Sequence, residues 1–509
     1  MNVLPRRCAV LMALPLALLP TGCGGGGGPA PLPPPTAKFS DASMSGQYAF
    51  SMSGSELCAG VSSYFTRVGS FLADGKGKIT SGLEDINVCA GVETLQFNGG
   101  KYSIGADGRG SLELTNSTGT TTYSIALSTT AGGSIAQTDT PATASGSFQR
   151  QNAAAFSNAA IAGGYVFDFN GVDVNGTAVD PGSYIGRFDA DGAGGILNGL
   201  FDSNVGGTLS GQQLFPTGAS YQLDINSPGK TFGRGIASIA GRSVVFYVVD
   251  ASRIKFITAD YPSAFIGEAF AQQNIAFNTA SLTGNFCFLI GGWSSSGPIA
   301  TAGRFTADGV GNISKIVLDE NNTGSVTLLP NGGVGGTFTV DANGFGGGTI
   351  TWTDTNVWSF SFIFYLISPT QAVFQETDSV IVSDGTLIAQ TTTPISTAAL
   401  AGDYVAGWNG MSNDEEDFVG QLTLASSGSL IGILDFNEFG AGKQYFDVPL
   451  SGNFALSGDG TQANIFDANL HSGPVPALHF TPYVVNQNTS LFVGVDSDRV
   501  LAGTLTRQP

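Results

Sequence analysis

Histidine is almost missing from this chain: His471 and His479 are the only two. A Ser-His-Asp relay or a histidine metal site therefore cannot recur along it. Eight residues apart on one strand, the two rings would stand roughly 25 Å apart, too far to share an ion. Charge is scarce as well. Only 12% of residues are charged, 39 acidic against 20 basic, for a net charge of −19. No basic stripe is present to neutralise phosphates, which argues against nucleic acid as a partner. Beyond the N-terminus no apolar run approaches the roughly 20 residues of a membrane-spanning helix, and no long segment carries apolar residues at helical spacing. Two motif fragments also fall short. "PGKT" at 228–231 has Asp224 where a phosphate loop needs glycine, and "DADG" at 189–192 lacks the third ligand and closing glutamate of a calcium loop. No cofactor and no metal is expected.

Cysteine is sparse, with five in 509 residues. Cys8 lies in an N-terminal segment made of Arg6 and Arg7, the apolar run "CAVLMALPLALLP" and "TGC" ending at Cys23. A short basic region, an apolar stretch too short to span a bilayer and small residues before a cleavage point predict a secretory signal over 1–22. The small–small–Cys ending resembles the lipobox of bacterial lipoproteins, with Pro20 where Leu is usual. That resemblance implies acylation of Cys23, with the membrane as a partner through the lipid anchor. Gly24, rather than Asp, after the cysteine implies sorting to the outer membrane. Residues 23–38, including "GGGGGPAPLPPP", cannot pack and read as a tether. Cys58, Cys89 and Cys287 remain. Cys58 follows strand 1 and Cys89 follows strand 3, so alternating strand direction brings both to one rim, where a disulfide is expected. Cys287, inside a first strand and aligned with Ala49 and Val166, is expected to be a buried thiol.

What the chain has in quantity is glycine, 73 residues, and phenylalanine, 35, the composition of many short strands joined by tight turns. It also repeats itself. The openings "FSDASMSGQY" (39–48), "FSNAAIAGGY" (156–165), "FNTASLTGNF" (277–286) and "ISTAALAGDY" (395–404) recur every 117 to 121 residues. Asp139, Asp260, Asp378 and Asp496 each precede a glycine by seven residues, Gly146, Gly267, Gly385 and Gly503. Each glycine precedes a glutamine by five, Gln151, Gln272, Gln390 and Gln508. Free linkers drift in length, so spacing held across the junctions predicts that neighbouring units touch in a defined way. The expected organisation is four β repeats at 39–151, 152–272, 273–390 and 391–509.

Within a copy, alternation and turn signals predict about eight antiparallel strands running up and down. In the first copy they fall near 47–53, 63–73, 78–87, 94–98, 101–105, 111–116, 121–128 and 133–138, with 145–151 closing the unit. The turns "ADGKG" (73–77), "ADGRG" (106–110), "ADGAG" (190–194) and "ADGVG" (307–311) place Asp-Gly where hairpins demand positive φ. The opening resembles that of the calycins, the group holding lipocalins and avidins. Phe156, Ile161, Gly163 and Tyr165 fall where lipocalins place Phe, an apolar residue, Gly and Trp. Thr138-Asp139, Thr377-Asp378 and "TADY" at 258–261 echo the lipocalin Thr-Asp-Tyr corner. Tyr or Phe replaces the Trp throughout, and Arg150 and Arg507 alone match the family's arginine. The resemblance implies an all-β fold of four eight-stranded barrels, each preceded by a short 3₁₀ turn; an open sandwich is the alternative.

Two patterns are candidate sites. Asp-x-Asn returns in every copy, as Asp85 and Asn87, Asp202 and Asn204, Asp319 and Asn321, and Asp435 and Asn437. Asp and Asn accept backbone N–H groups at strand ends, and the neighbouring loops differ from copy to copy, so a structural role is expected. The run Asp414, Glu415, Glu416 and Asp417 falls in the variable loop between strands 1 and 2. It reads as a solvated charge run or, in the second place, a binding loop. The function expected from all this is non-enzymatic, a binding or structural role at the bacterial surface toward a ligand or protein partner. Small-molecule capture inside the barrels is the alternative, and a carboxylate-based enzyme the third. A single membrane barrel is disfavoured, because strands such as "FSFIFYLI" (360–367) are apolar on both faces.

Overall fold

The computed structural model describes residues 38–329, 335–353, 357–391, 395–440, 442–456, 466–471 and 477–509. The signal, Cys23 and the tether as far as Ala37 lie outside the described residues, as does the side chain of His471. The fold is all-β, and its antiparallel strands form four sheets, one for each sequence copy. In the first copy the strands run Ser45–Cys58, Val61–Asp74, Lys78–Val88, Gly91–Phe97, Gly99–Ile104, Arg109–Thr115, Thr120–Thr129, Gly132–Gln137 and Ala142–Arg150.

Each of the first three sheets has nine strands and the fourth has eight. The difference is one interrupted strand. In the fourth copy Lys443–Leu456 is continuous, turning its corner with a bulge at Asp447, whose φ is +53°. In the first copy the same span is split into Gly91–Phe97 and Gly99–Ile104, both paired with Lys78–Val88. In the second, Pro216 falls in the gap between Thr208–Leu214 and Tyr221–Leu223, where it has no N–H to give to a ladder. The fourth sheet closes as a barrel. The first and third close through short pairings, and the second remains an open sheet whose gap is spanned by a bridge between Gly195 and Ser220.

A short helical turn precedes each first strand: Asp41–Ser43, Asn158–Ala160, Thr279–Ser281 and Thr397–Leu400. Tyr102 and Tyr221 tie two of these turns down by donating to backbone carbonyls in the openings of their own units. The sheet interiors are filled with aromatic side chains. Tyr48, Phe50, Phe71 and Phe148 meet in the first unit, Phe167, Phe169, Tyr184 and Phe256 in the second. The third packs Phe288, Phe360, Phe362 and Phe374, and the fourth Trp408, Phe418, Phe480 and Phe492. Ring centroids lie at 4.6 to 6.4 Å in contacts such as Phe169–Tyr184 and Phe50–Phe97, the spacing of stacked and edge-on aromatics.

The described residues form one compact body. The leading strands of each unit pack on the last three strands of the next, and the fourth unit packs in the same way on the first. The four units thus close into a ring, all pointing the same way. One face, the base, carries the helical turns and the Asp-Gly hairpins; the other, the crown, carries the hairpins between first and second strands. The junction residues sit beside these seams: the amides of Asn152, Gln273 and Thr391, each the first residue of its unit, donate to Val249, Ile367 and Val485 on the strands against which the preceding unit packs.

On the crown Cys58 and Cys89 are joined across 31 residues of sequence, with Cα atoms 6.0 Å apart. A loop of that length is worth roughly 3–4 kcal/mol in the chain-entropy account. The double variant Cys58→Ser, Cys89→Ser is expected to lose about that much, read as a lower urea midpoint. An unchanged midpoint would mean that the rim is held by other contacts, such as the Tyr261 hydroxyl on the Cys89 carbonyl at 2.8 Å.

Candidate functional site

The repeated Asp-x-Asn motif lies at the crown end of each third strand, and its asparagine reaches across a seam. Asn87 donates to the carbonyls of Thr258 and Ser263 at 3.0 and 2.9 Å, and Asn204 to that of Ile381 at 2.7 Å. Asn321 donates to Gly494, Asp496 and Arg499 at 2.8 to 2.9 Å. Asn437 returns to the first unit, to Gln137 at 3.3 Å and Ala142 at 2.8 Å. All four amides are buried. The motif also accepts backbone N–H groups within its own unit, from Gln212 to Asp202, Asp447 to Asp435 and Gly324 to Asn321. Sequence alone points to that second role only.

The four repeated glutamines do the same work at the base. Gln151 donates to Phe232 and Val248, Gln272 to Asn343 and Leu366, Gln390 to Val484, and Gln508 to Asp107 and Leu127. A third seam element escapes the sequence reading. The hydroxyls of Tyr247, Tyr365 and Tyr483 donate to Asp85, Asp202 and Asp319 of the preceding unit at 2.6 to 2.7 Å. Burial first, and then the facing carboxylate, push these hydroxyls up, so they remain donors. Successive steps of 118 residues between the three tyrosines were a usable signal. The first copy obscures it, because Ala126 stands at the matching place.

The seam between the fourth and first units differs accordingly. Among the described residues its apolar cluster is Ala126, Ala136, Val405 and Val419, whereas the first seam packs Ala49, Val68 and Leu83 on Val245, Tyr247 and Ile257. Polar contacts take its place: Arg109 with Asp447 at 2.8 Å, Lys38 with Asp403 at 3.0 Å, and Thr143 on Asp417 at 2.8 Å. Here the acidic run corrects its expectation as a solvated loop. Only Asp414 lies in the turn; Glu415, Glu416 and Asp417 begin the strand Glu415–Leu424. Glu416 is buried against Arg499 at 3.2 Å, and Glu415 takes a close hydrogen bond from Ser55 of the first unit. Cys287 is wholly buried in the third seam, and its thiol is pushed up by burial.

Where the four units meet on the ring axis they leave a cavity of about 770 Å³. Its wall takes Tyr64 from the first unit, Asp168 from the second, Trp293 and Asp384 from the third, and Asn409 and Glu415 from the fourth. The carboxyls are poorly solvated. Burial pushes Asp384 up to about 7, although Asn170 donates to it at 3.2 Å. Burial, with Asp384 and Glu268 nearby, raises Asp168 well above the carboxylate range, and burial beside Asp417 does the same for Glu415. Asp417, two residues along the strand, is pushed up to about 7 by burial. Lys255 is an amine that interacts with Asp168. It is buried in the first seam, where Glu268, Ser51 and Ser147 hold it, and burial brings it down to about 8.

No protein-family model matches the chain, and no curated protein does. Among solved structures it is similar to the isotype 1 transferrin binding protein B from serogroup B Neisseria meningitidis. That match has 8% identity, covers 76% of this chain and 83% of the other, and has a TM-score of 0.21. It is also similar to a mutant of the vaccine antigen transferrin binding protein B from Haemophilus parasuis Hp5, at 9% identity, 74% and 82% coverage and a TM-score of 0.19. Similarities this low do not place the chain in a family.

Proposed function

We propose that the protein is a non-enzymatic module of the bacterial cell envelope, anchored through a lipid on Cys23, whose ring presents its crown to a surface ligand or protein partner. One observation carries this reading. The chain enters the ring at the base, where the Lys38 amide donates to Ala106 and its side chain pairs with Asp403. The four variable first hairpins gather at the opposite face around the axial cavity. A tether leaving the base would hold the crown away from the bilayer. The crown hairpins also differ in chemistry while the seams repeat: Leu57, Val61, Val179 and Trp293 are exposed there, as expected where a fixed scaffold carries changing contacts. Capture of a small molecule inside each barrel finds no support, because aromatic rings occupy those interiors.

Fractionation of cells tests the display reading. The protein is expected in the outer-membrane fraction and in the detergent phase, and Cys23→Ala is expected to release it from both. A Cys23→Ala protein that still partitions with detergent would remove the lipid anchor from the account.

A further inference from the structure

We propose that the axial cavity is a binding site for an organic cation, an ammonium or guanidinium group carried by a free polyamine or by a Lys or Arg side chain of a partner. This rests on the reading that the crown is the binding face. Three units contribute carboxyls to the wall, Asp168, Asp384 and Glu415, and among the described residues the wall carries no lysine, arginine or histidine. The two cations that act on Asp168 are already engaged: Glu268 holds both Lys255 and Arg253. The volume lies within the range of small-molecule sites. Trp293, partly exposed at the cavity wall, and Tyr64 offer the π faces on which ammonium groups rest.

A second observation points the same way. Asp417, which does not itself line the cavity, is wholly buried; Thr143 donates to its Oδ2 at 2.8 Å, and its Oδ1 lacks a well-formed hydrogen bond. Alternate residues share a strand face, so Asp417 and the cavity-lining Glu415 stand together, with Thr143 opposite them. A poorly paired carboxylate oxygen buried beside another carboxyl is costly unless a positive charge or a proton answers it.

The proton is the competitor. Around Asp168 stand Asp384, Glu268, Arg253 and Lys255; around Asp384, Asn170, Ser183 and Tyr64; around Glu415 and Asp417, each other, Glu416, Ser55, Tyr64, Thr143 and Ser145. These carboxyls prefer to remain protonated near neutrality, so a cation must displace protons as it enters. The sign follows. Empty, the folded protein loses stability as pH rises from the ordinary carboxylate range through about 7, because only the unfolded chain ionises freely there. A cation that binds the ionised form restores that loss, so its affinity rises with pH, by close to tenfold per pH unit for each proton released.

The experiment is calorimetric titration of the full-length protein at low salt with spermidine and, separately, with a lysine-rich peptide, at mildly acidic and mildly alkaline pH. Spermidine is expected to bind more tightly at the higher pH, with a buffer-dependent heat that reports proton release. Glu415→Gln and Asp384→Asn are each expected to weaken it at least about tenfold, the scale of one lost charge–charge contact in a partly buried site. Exposed Glu93→Gln is expected to change nothing. Melting curves of the amide variants without ligand establish that they fold, and each variant is expected to lose its own group's share of the destabilisation at higher pH. Tighter binding of the peptide, displaced by spermidine, would assign the cation to a partner's side chain; tighter binding of spermidine would assign it to a free polyamine. The proposal is overturned if neither probe binds, if affinity falls as pH rises, or if folded Glu415→Gln and Asp384→Asn bind as wild type does. The fractionation result for Cys23→Ala stands or falls separately.

Discussion

Asp85→Ala is expected to destabilise the protein by about 3–5 kcal/mol, the scale of breaking a buried ion pair by removing one partner. Asp85 is wholly buried and accepts two hydrogen bonds of 2.8 Å from the Arg234 guanidinium, a forked contact across the first seam. The Tyr247 hydroxyl adds a third at 2.7 Å. Removing the carboxylate leaves a guanidinium and a phenol facing each other without an acceptor. Arg234 keeps Asp224 at 3.0 Å, which favours the lower end of the range. Asp435→Ala, at the same repeat position, is expected to cost less, about 1–3 kcal/mol. It loses the bond from the Asp447 amide and a long 3.8 Å pairing with Arg109, which keeps Asp107 and Asp447, and it strands no tyrosine. The comparison is read from urea midpoints of the two variants at neutral pH. Equal losses would mean that the Arg234 and Tyr247 contacts of Asp85 across the first seam add nothing measurable.

The strands of the first copy were legible to within a few residues, because alternation and Asp-Gly turns are local signals. Asp74, for example, accepts from the amides of Lys76 and Lys78 within its own hairpin. The fixed Asp–Gly–Gln spacing made contact between units legible, since Gln151 and its counterparts touch the next unit in every copy. Closure of the ring was not. Repetition says that unit 1 meets unit 2 as unit 2 meets unit 3, but whether the fourth returns to the first depends on the rotation summed over three seams. No residue pattern states that angle. The cavity was hidden for a related reason. Asp168 occupies the place held by Ser51, Leu289 and Gly407, and Asp384 that of Ser145, Ile266 and Ala502, so its carboxyls come from unmatched positions and leave no repeat to notice. The acidic run misled because four charges in a row lack the apolar alternation that marks a strand. Here Arg499, Ser55 and Thr143 supply what a core would otherwise provide.

Gly385→Ala is expected to be as damaging as Asp85→Ala, through packing rather than charge. The four repeated glycines lie where each last strand crosses its unit's first. A Cβ at Gly385 would fall 2.1 Å from the Leu289 carbonyl oxygen and 3.1 Å from the Cα of Ile290. The same atom at Gly146 would meet the Ser51 carbonyl at 1.9 Å, and at Gly267 that of Asp168 at 2.2 Å. These obstacles are backbone, so no rotamer change relieves them, and the strand pair that closes the sheet must separate. Overpacking of an ordinary core costs about 1–3 kcal/mol, occasionally more. A clash with backbone at the closing pair belongs at or above the top of that range. Strand 1 also carries Leu289 into the third seam and Trp293 to the cavity, so the displacement would reach both. The control is Gly99→Ala, where an added Cβ meets nothing within 4 Å and the expected change is within about 0.5 kcal/mol. Thermal and urea unfolding of the two variants decide it. If Gly385→Ala melts with Gly99→Ala, the closing strands have slack, and the glycine repeats for some reason other than close approach.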